Sequence, residues 1–232
     1  MALPKLTTPT YELDLPSTGE KIKFRPFLVK EQKLLMMAEE SKDDRQVAET
    51  IQQLISSCTH GKIDALVSPI FDIEYVFLQL RMRSVGANIE LNITCPDDEK
   101  TEVPVKINLE DVHVLNDDKH TNIVKITDTV KMIMGYPQLI DMQSMKNTTE
   151  NMFKLLTKCV IEIHDGDTIH NKADITDKEL GEFMDSFNTE QLSNVMQFFE
   201  TMPKVRHVIN VTNPKTEVTS EVVLEGMDTF LV

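Results

Sequence analysis

Ile89-Glu90-Leu91-Asn92-Ile93-Thr94-Cys95-Pro96-Asp97-Asp98-Glu99-Lys100-Thr101-Glu102-Val103-Pro104-Val105-Lys106-Ile107-Asn108-Leu109 is the stretch on which the fold turns. Ile89, Leu91 and Ile93 alternate with polar residues, and Cys95 to Lys100 is a polar turn. Val103, Val105, Ile107 and Leu109 then alternate back toward Val112 and Val114. A period of two puts alternate side chains on opposite faces of a strand, so the pattern predicts an antiparallel hairpin. Upstream, Pro69 and Asp72 supply a helix start, Ile73, Val76, Phe77 and Leu80 recur at three and four, and Gly86 is placed for a C-cap. The unit is a helix followed by a hairpin.

The far end of the chain repeats it. Asn92-Ile93-Thr94-Cys95-Pro96 aligns with Asn210-Val211-Thr212-Asn213-Pro214, Lys100-Thr101-Glu102-Val103 with Lys215-Thr216-Glu217-Val218, and Leu109-Glu110-Asp111-Val112 with Leu224-Glu225-Gly226-Met227, the second loop being three residues shorter. Asn, Thr, Pro and Lys are ordinary turn residues, but helix, hairpin and Leu-Glu tail recur in one order. The reading is a degenerate repeat of a helix-plus-hairpin module. Two repeats do not make a solenoid, so the expected fold class is α+β, amphipathic helices packed with short antiparallel hairpins.

Outward from these modules, Tyr11, Leu13 and Leu15 alternate, Pro16-Ser17-Thr18-Gly19 turns, and Ile22 and Phe24 resume, which predicts an N-terminal hairpin. Pro26 ends it. Val29 to Ser41 places Leu34, Leu35, Met37 and Ala38 at helical spacing, and Val47, Ile51, Leu54, Ile55 and Cys58 form another apolar face before Gly61. A polar, aperiodic connection from Asn116 to Thr127 sets the expected boundary near residue 118, giving regions 1–118 and 119–232. The second region predicts a strand at Ile123 to Ile126, a helix near Thr129 to Gly135 and a helix from about Thr148 to Val160. Thr176-Asp177-Lys178-Glu179 fits a capping box ahead of a helix to Phe187, and a further helix spans Thr189 to Met202. Strands at Val205 to Thr212 and Val218 to Leu224 close the chain.

In 232 residues, 24 Lys and Arg face 38 Asp and Glu, a formal charge of −14 that repels phosphate backbones and anionic lipid heads. The partners expected are therefore proteins, with no nucleic acid and no membrane; the oligomeric state is left open. Cys58, Cys95 and Cys159 form neither a disulfide framework nor a CxxC pair, which fits a reducing compartment, Cys58 and Cys159 falling on helix faces as core thiols. No secretory leader and no apolar run of roughly 18 to 20 residues is present, so a soluble, unanchored protein is expected. Seven glycines and the lack of GxGxxG and GxxxxGK[ST] argue against a nucleotide enzyme.

No catalytic set emerges. His164-Asp165-Gly166-Asp167-Thr168-Ile169-His170 gathers two imidazoles and two carboxylates, the basis for an alternative reading as a metal-dependent hydrolase. As a calcium loop it fails, because Ile169 stands where an oxygen ligand is needed and His170 where Gly is needed; an Asp-Gly turn flanked by surface histidines fits better. Paired acids such as Glu39-Glu40 and Asp97-Asp98-Glu99 read as solvated charge. No cofactor and no metal is expected. Of thirteen methionines, Met36, Met37 and Met202 are candidates for an adaptable partner surface, together with Phe198, Phe199, Phe230 and Leu231.

Phe24-Arg25-Pro26-Phe27-Leu28-Val29-Lys30-Glu31, Phe71 to Arg81 running into Ser84-Val85-Gly86, and Phe198-Phe199-Glu200-Thr201-Met202-Pro203 with Leu224-Glu225-Gly226-Met227 are aromatic and aliphatic landmarks over most of the chain. In them the sequence resembles the baseplate hub subunit or hub-assembly protein of large contractile-tailed bacteriophages. The resemblance implies a non-enzymatic late protein, a hub component or an assembly chaperone that leaves, with the other phage hub proteins as partners. It implies the host cytoplasm during assembly and the virion tail baseplate as locations. Members of that family often carry cysteine pairs in the hairpins that suggest zinc knuckles. Here Cys95 stands alone in the first hairpin and Asn213 takes the matching place in the second, so a thiolate-bound zinc does not carry over.

Overall fold

A computed structural model describes residues 6–142 and 148–230. It is a mixed α+β fold of short antiparallel sheets and helices, as the sequence predicts. Contacts divide it into two compact units: residues 1–115 together with 204–232, and residues 116–203. The chain leaves the first unit beside the polar connection and returns for the C-terminal hairpin.

In the first unit, β1 (Tyr11–Asp14) and β2 (Lys21–Phe24) pair with Leu13 opposite Ile22. They are followed by α1 (Val29–Ser41), α2 (Asp44–Cys58) and α3 (Ile70–Ser84). Leu13, Phe24, Ile51, Ile55, Cys58, Ile73 and Phe77 share one core. Full burial of a side chain such as Phe77 contributes about 2–3 kcal/mol. The Ser17 backbone and hydroxyl both donate to the buried Asp72 carboxylate, which ties the β1–β2 turn to α3.

α3 leads into β3 (Asn88–Thr94) and β4 (Glu102–Asn108), paired with Ile89 opposite Ile107 and Leu91 opposite Val105. A single 3-10 turn, Leu109–Asp111, redirects the chain, so β5 (His113–Leu115) leaves the hairpin. A second core forms from Leu78, Ile89, Leu91, Ile107, Leu109, Val112, Val205, Leu224 and Phe230.

The second unit opens with β6 (Ile123–Lys125) and β7 (Val130–Met134). The expected helix at Thr129 to Gly135 is thus a strand. Methionine favours helices in isolation, but Met132 and Met134 are buried while Lys131 faces solvent, a period of two that pairs β7 between β6 and β8 (Val160–Asp165). A short α4 (Leu139–Met142) and α5 (Thr149–Lys158) precede β8, so the helix expected to reach Val160 gives way to a strand at that residue. β9 (Thr168–Asn171) completes the sheet in the order β6-β7-β8-β9. Then come α6 (Asp177–Asp185) and α7 (Thr189–Thr201). Thr176 and Glu179 form the predicted reciprocal capping box, and Asn188 with Gln191 makes a second. Val124, Met132, Met134, Leu156, Leu180, Val195 and Phe198 form this unit's core.

Back in the first unit, β10 (Lys204–Thr212) pairs with both β5 and β11 (Thr219–Glu225), and α8 (Met227–Phe230) ends the described chain. The two hairpins close alike. The N–H of Glu99 donates to the Cys95 carbonyl and that of Glu217 to the Asn213 carbonyl, each at 2.9 Å, and both glutamates are left-handed, φ 53° and 60°. The turns are therefore alike, but in a register that sets Glu99, not the aligned Glu102, against Glu217: the N–H of Cys95 donates to the Thr101 carbonyl and that of Asn213 to the Val218 carbonyl, so the second loop is one residue shorter. The helix preceding the second hairpin, α7, belongs to the other unit.

Candidate contact surface

The start of α1 is fixed from below. Arg25 donates to the Pro26 carbonyl and to Glu31 Oε1, each at 2.9 Å, and the N–H of Leu28 donates to Glu31 Oε2 at 2.7 Å. Ser84 Oγ, from α3, accepts from the N–H of Phe27 at 2.9 Å. Burial pulls the Glu31 carboxyl upward, but these hydrogen bonds and the charges of Arg25 and Lys30 outweigh it and hold the pKa below its ordinary 4.5. The Phe24-to-Glu31 landmark is thus a buried ion-pair clamp that aims a helix. Lys42, left-handed at φ 54°, ends that helix.

What the clamp aims is an exposed apolar surface. α1 buries Glu31, Leu35 and Ala38 alone. Val29 is 67% exposed, Leu34 48%, Met36 53% and Met37 60%. Leu34 and Met37 therefore do not join Leu35 and Ala38 in a buried face, contrary to the sequence expectation. Apolar residues at 29 and 34–38 wrap more of the helix than one neighbour can cover, and α2 takes one side only. That spread is the sequence signal for exposed Val29 and Leu34. Lys33, Met36, Met37 and Glu40, at i, i+3, i+4 and i+7, share the outward face, and all four are exposed.

The other candidates lie elsewhere. Phe198, 2% exposed, is a core residue of the second unit; it meets Phe199 edge-on at 5.0 Å and His120 at 5.1 Å. Phe199 and Met202 are half-buried. Phe230, 2% exposed, completes the second core of the first unit, and Leu231 falls outside the described residues. Met36 and Met37 are adjacent on one surface.

His120 sits between the Thr201 hydroxyl at 3.0 Å and the Tyr136 hydroxyl at 3.1 Å, and burial pushes its pKa below 6.5. Nearby, a cleft of about 210 Å³ is lined by Lys119, Thr121, Lys125, Asn194, Gln197 and Thr201. Lys125 is engaged by Asp128 at 2.7 Å and Asn194 by the Lys125 carbonyl at 3.1 Å, so much of its polar lining is already paired.

The histidine cluster is a turn. Asp165 and Thr168 pair across it, with Gly166 at φ 57° supplying the left-handed conformation. His170 lies opposite Ile163 and His164 opposite Ile169, so the two imidazoles fall on opposite faces of the sheet. His164 Nε2 is 2.7 Å from Glu162 Oε2. Among the described residues no group of three or more His, Cys, Asp and Glu is arranged to hold a metal ion.

At the hairpin tips of the first unit, buried Asn213 donates from Nδ2 to Asp97 Oδ1 and Oδ2 at 3.1 and 3.0 Å, and the Thr216 hydroxyl donates to Asp97 Oδ2. Cys95 is 1% exposed, and burial with the charges of Asp97 and Asp98 pushes its thiol upward. A single thiol beside an amide committed to Asp97 supplies too few ligands for a thiolate-bound zinc; a hydrogen-bonded clasp joins the two tips instead. Burial likewise pushes the Cys58 and Cys159 thiols up to about 11 and 12, which makes them inert core groups. No helix among the described residues is long and apolar enough to cross a membrane.

The described surface of this two-unit α+β protein includes an apolar, methionine-bearing helix face. The family model described as T4 bacteriophage base plate protein matches residues 8–232, and the chain belongs to that family. Its role therefore lies at the phage tail baseplate. No curated protein and no solved structure matches the chain.

Proposed function

We propose that the chain is a protein-interaction factor in assembly of the tail baseplate hub, without enzymatic activity, and that it binds other hub proteins of the same phage. The family match over residues 8–232 carries this reading. The outer face of α1 supports it. Met36 and Met37 are unbranched and polarizable, so they repack around a partner, and Val29 and Leu34 add apolar area that is exposed on the single chain. The formal charge of −14 disperses a molecule that displays such a surface. The opposed faces of His164 and His170 weigh against the metal-dependent hydrolase, which needs both near one ion.

Co-expression with the hub proteins of the same phage tests the reading. A complex that co-purifies, and that is lost in the Met36→Glu, Met37→Glu double variant, is expected. Absence of any complex, together with normal tails from phage lacking the gene, overturns it. Mass spectrometry of purified particles separates an assembly factor that leaves from a permanent subunit of the virion.

A further inference from the structure

The outer stripe of α1 carries opposite charges at its two ends. Lys33 stands one turn before the methionine pair and Glu40 one turn after it, and all four residues are exposed on one face. When two such helices run antiparallel about a two-fold axis between Met36 and Met37, residue 36 of one copy lies against 37 of the other, and 33 against 40. Each Lys33 then meets a Glu40, twice by symmetry, around a methionine centre. An interface between identical copies must be self-complementary in this sense. The constraint matters here because a formal charge of −14 per chain opposes association, so a contact that paired like signs would be strongly penalised.

We propose that in the free protein the outer face of α1 is covered by α1 of a second copy, antiparallel, with Met36 and Met37 at the centre and reciprocal Lys33–Glu40 pairs flanking them. The proposal rests on the reading of α1 as a contact surface and names its occupant before hub proteins engage. Lys33→Glu alone sets a carboxylate against Glu40 of the other copy. Reversing both signs restores an opposite-charge pair without restoring either original side chain, which a different partner protein would not reward.

Sedimentation of the full chain, with circular dichroism to confirm folding, reads the outcome. The wild type is expected to dimerise, Lys33→Glu to weaken the dimer by at least about tenfold, and the Lys33→Glu, Glu40→Lys double variant to recover it. Met36→Ala is expected to weaken the dimer at unchanged charge. A wild type that is monomeric up to about 0.1 mM overturns the proposal, as does a dimer indifferent to Lys33→Glu. A monomer that still co-purifies with hub proteins assigns the face to those partners: the dimer fails while the assembly reading stands.

Discussion

The Arg25–Glu31 pair is where one side chain governs most. The two are held at 2.9 Å with side chains 15% and 6% exposed, so removing one leaves the other's charge buried without its partner. Arg25→Ala should cost about 3 kcal/mol in chemical denaturation. The pair also sets a pH dependence. Because the folded pKa of Glu31 lies below 4.5, its contribution is full above the unfolded value and is lost as pH falls through the folded one. Arg25→Ala should therefore show a shallower loss of stability below pH 4.5 than the wild type. Asn213 is the second such residue: fully buried, it bonds Asp97 across 116 residues of sequence and accepts from the Lys215 N–H at 2.9 Å. Asn213→Ala should cost about 1–3 kcal/mol by thermal or chemical unfolding. Neither partnership was legible in the sequence. Arg25 and Glu31 stood inside a recognisable landmark, but spacing does not say which polar residues a fold will bury together.

At the scale of elements, local signals were read well wherever local chemistry decides the outcome. Thr176 and Glu179 cap α6 as their spacing predicts, and Thr176→Ala should cost about 1 kcal/mol, measured by the same unfolding. β7 departs from the expected helix because Val130 to Met134 carries residues that suit either period, and what makes it a strand is its pairing with β6 and β8. α1 was located residue for residue, yet its buried face was drawn too wide. Leu34 and Met37 lie outside it: Leu34 stands at the rim of a cleft against Thr50, Gln53 and Ser57 of α2, and Met37 is exposed. Since those side chains are exposed on the single chain, the Met36→Glu, Met37→Glu variant should stay within about 0.5 kcal/mol of wild-type stability at concentrations where the chain is monomeric, while losing its partners. Matched melting curves beside co-purification separate lost contact from lost fold.

At the scale of the whole molecule, the fold class and the likeness of the two hairpins were legible, since alternation and turn residues are local. The return of the C-terminal hairpin to the first unit was not, because β10 pairs with β5 across nearly the whole second unit and no local pattern encodes that distance. Of the candidate contact residues Met36 and Met37 are exposed, whereas Phe198 and Phe230 fill cores, an aromatic near a helix end reading alike in either setting. The central claim is that this chain acts at the baseplate by holding hub proteins. Affinity purification of the tagged chain from cells co-expressing the hub proteins of the same phage measures it directly. A stable complex that the Met36→Glu, Met37→Glu variant does not form is expected. A chain that purifies alone, from a phage that builds normal tails without it, would contradict the account.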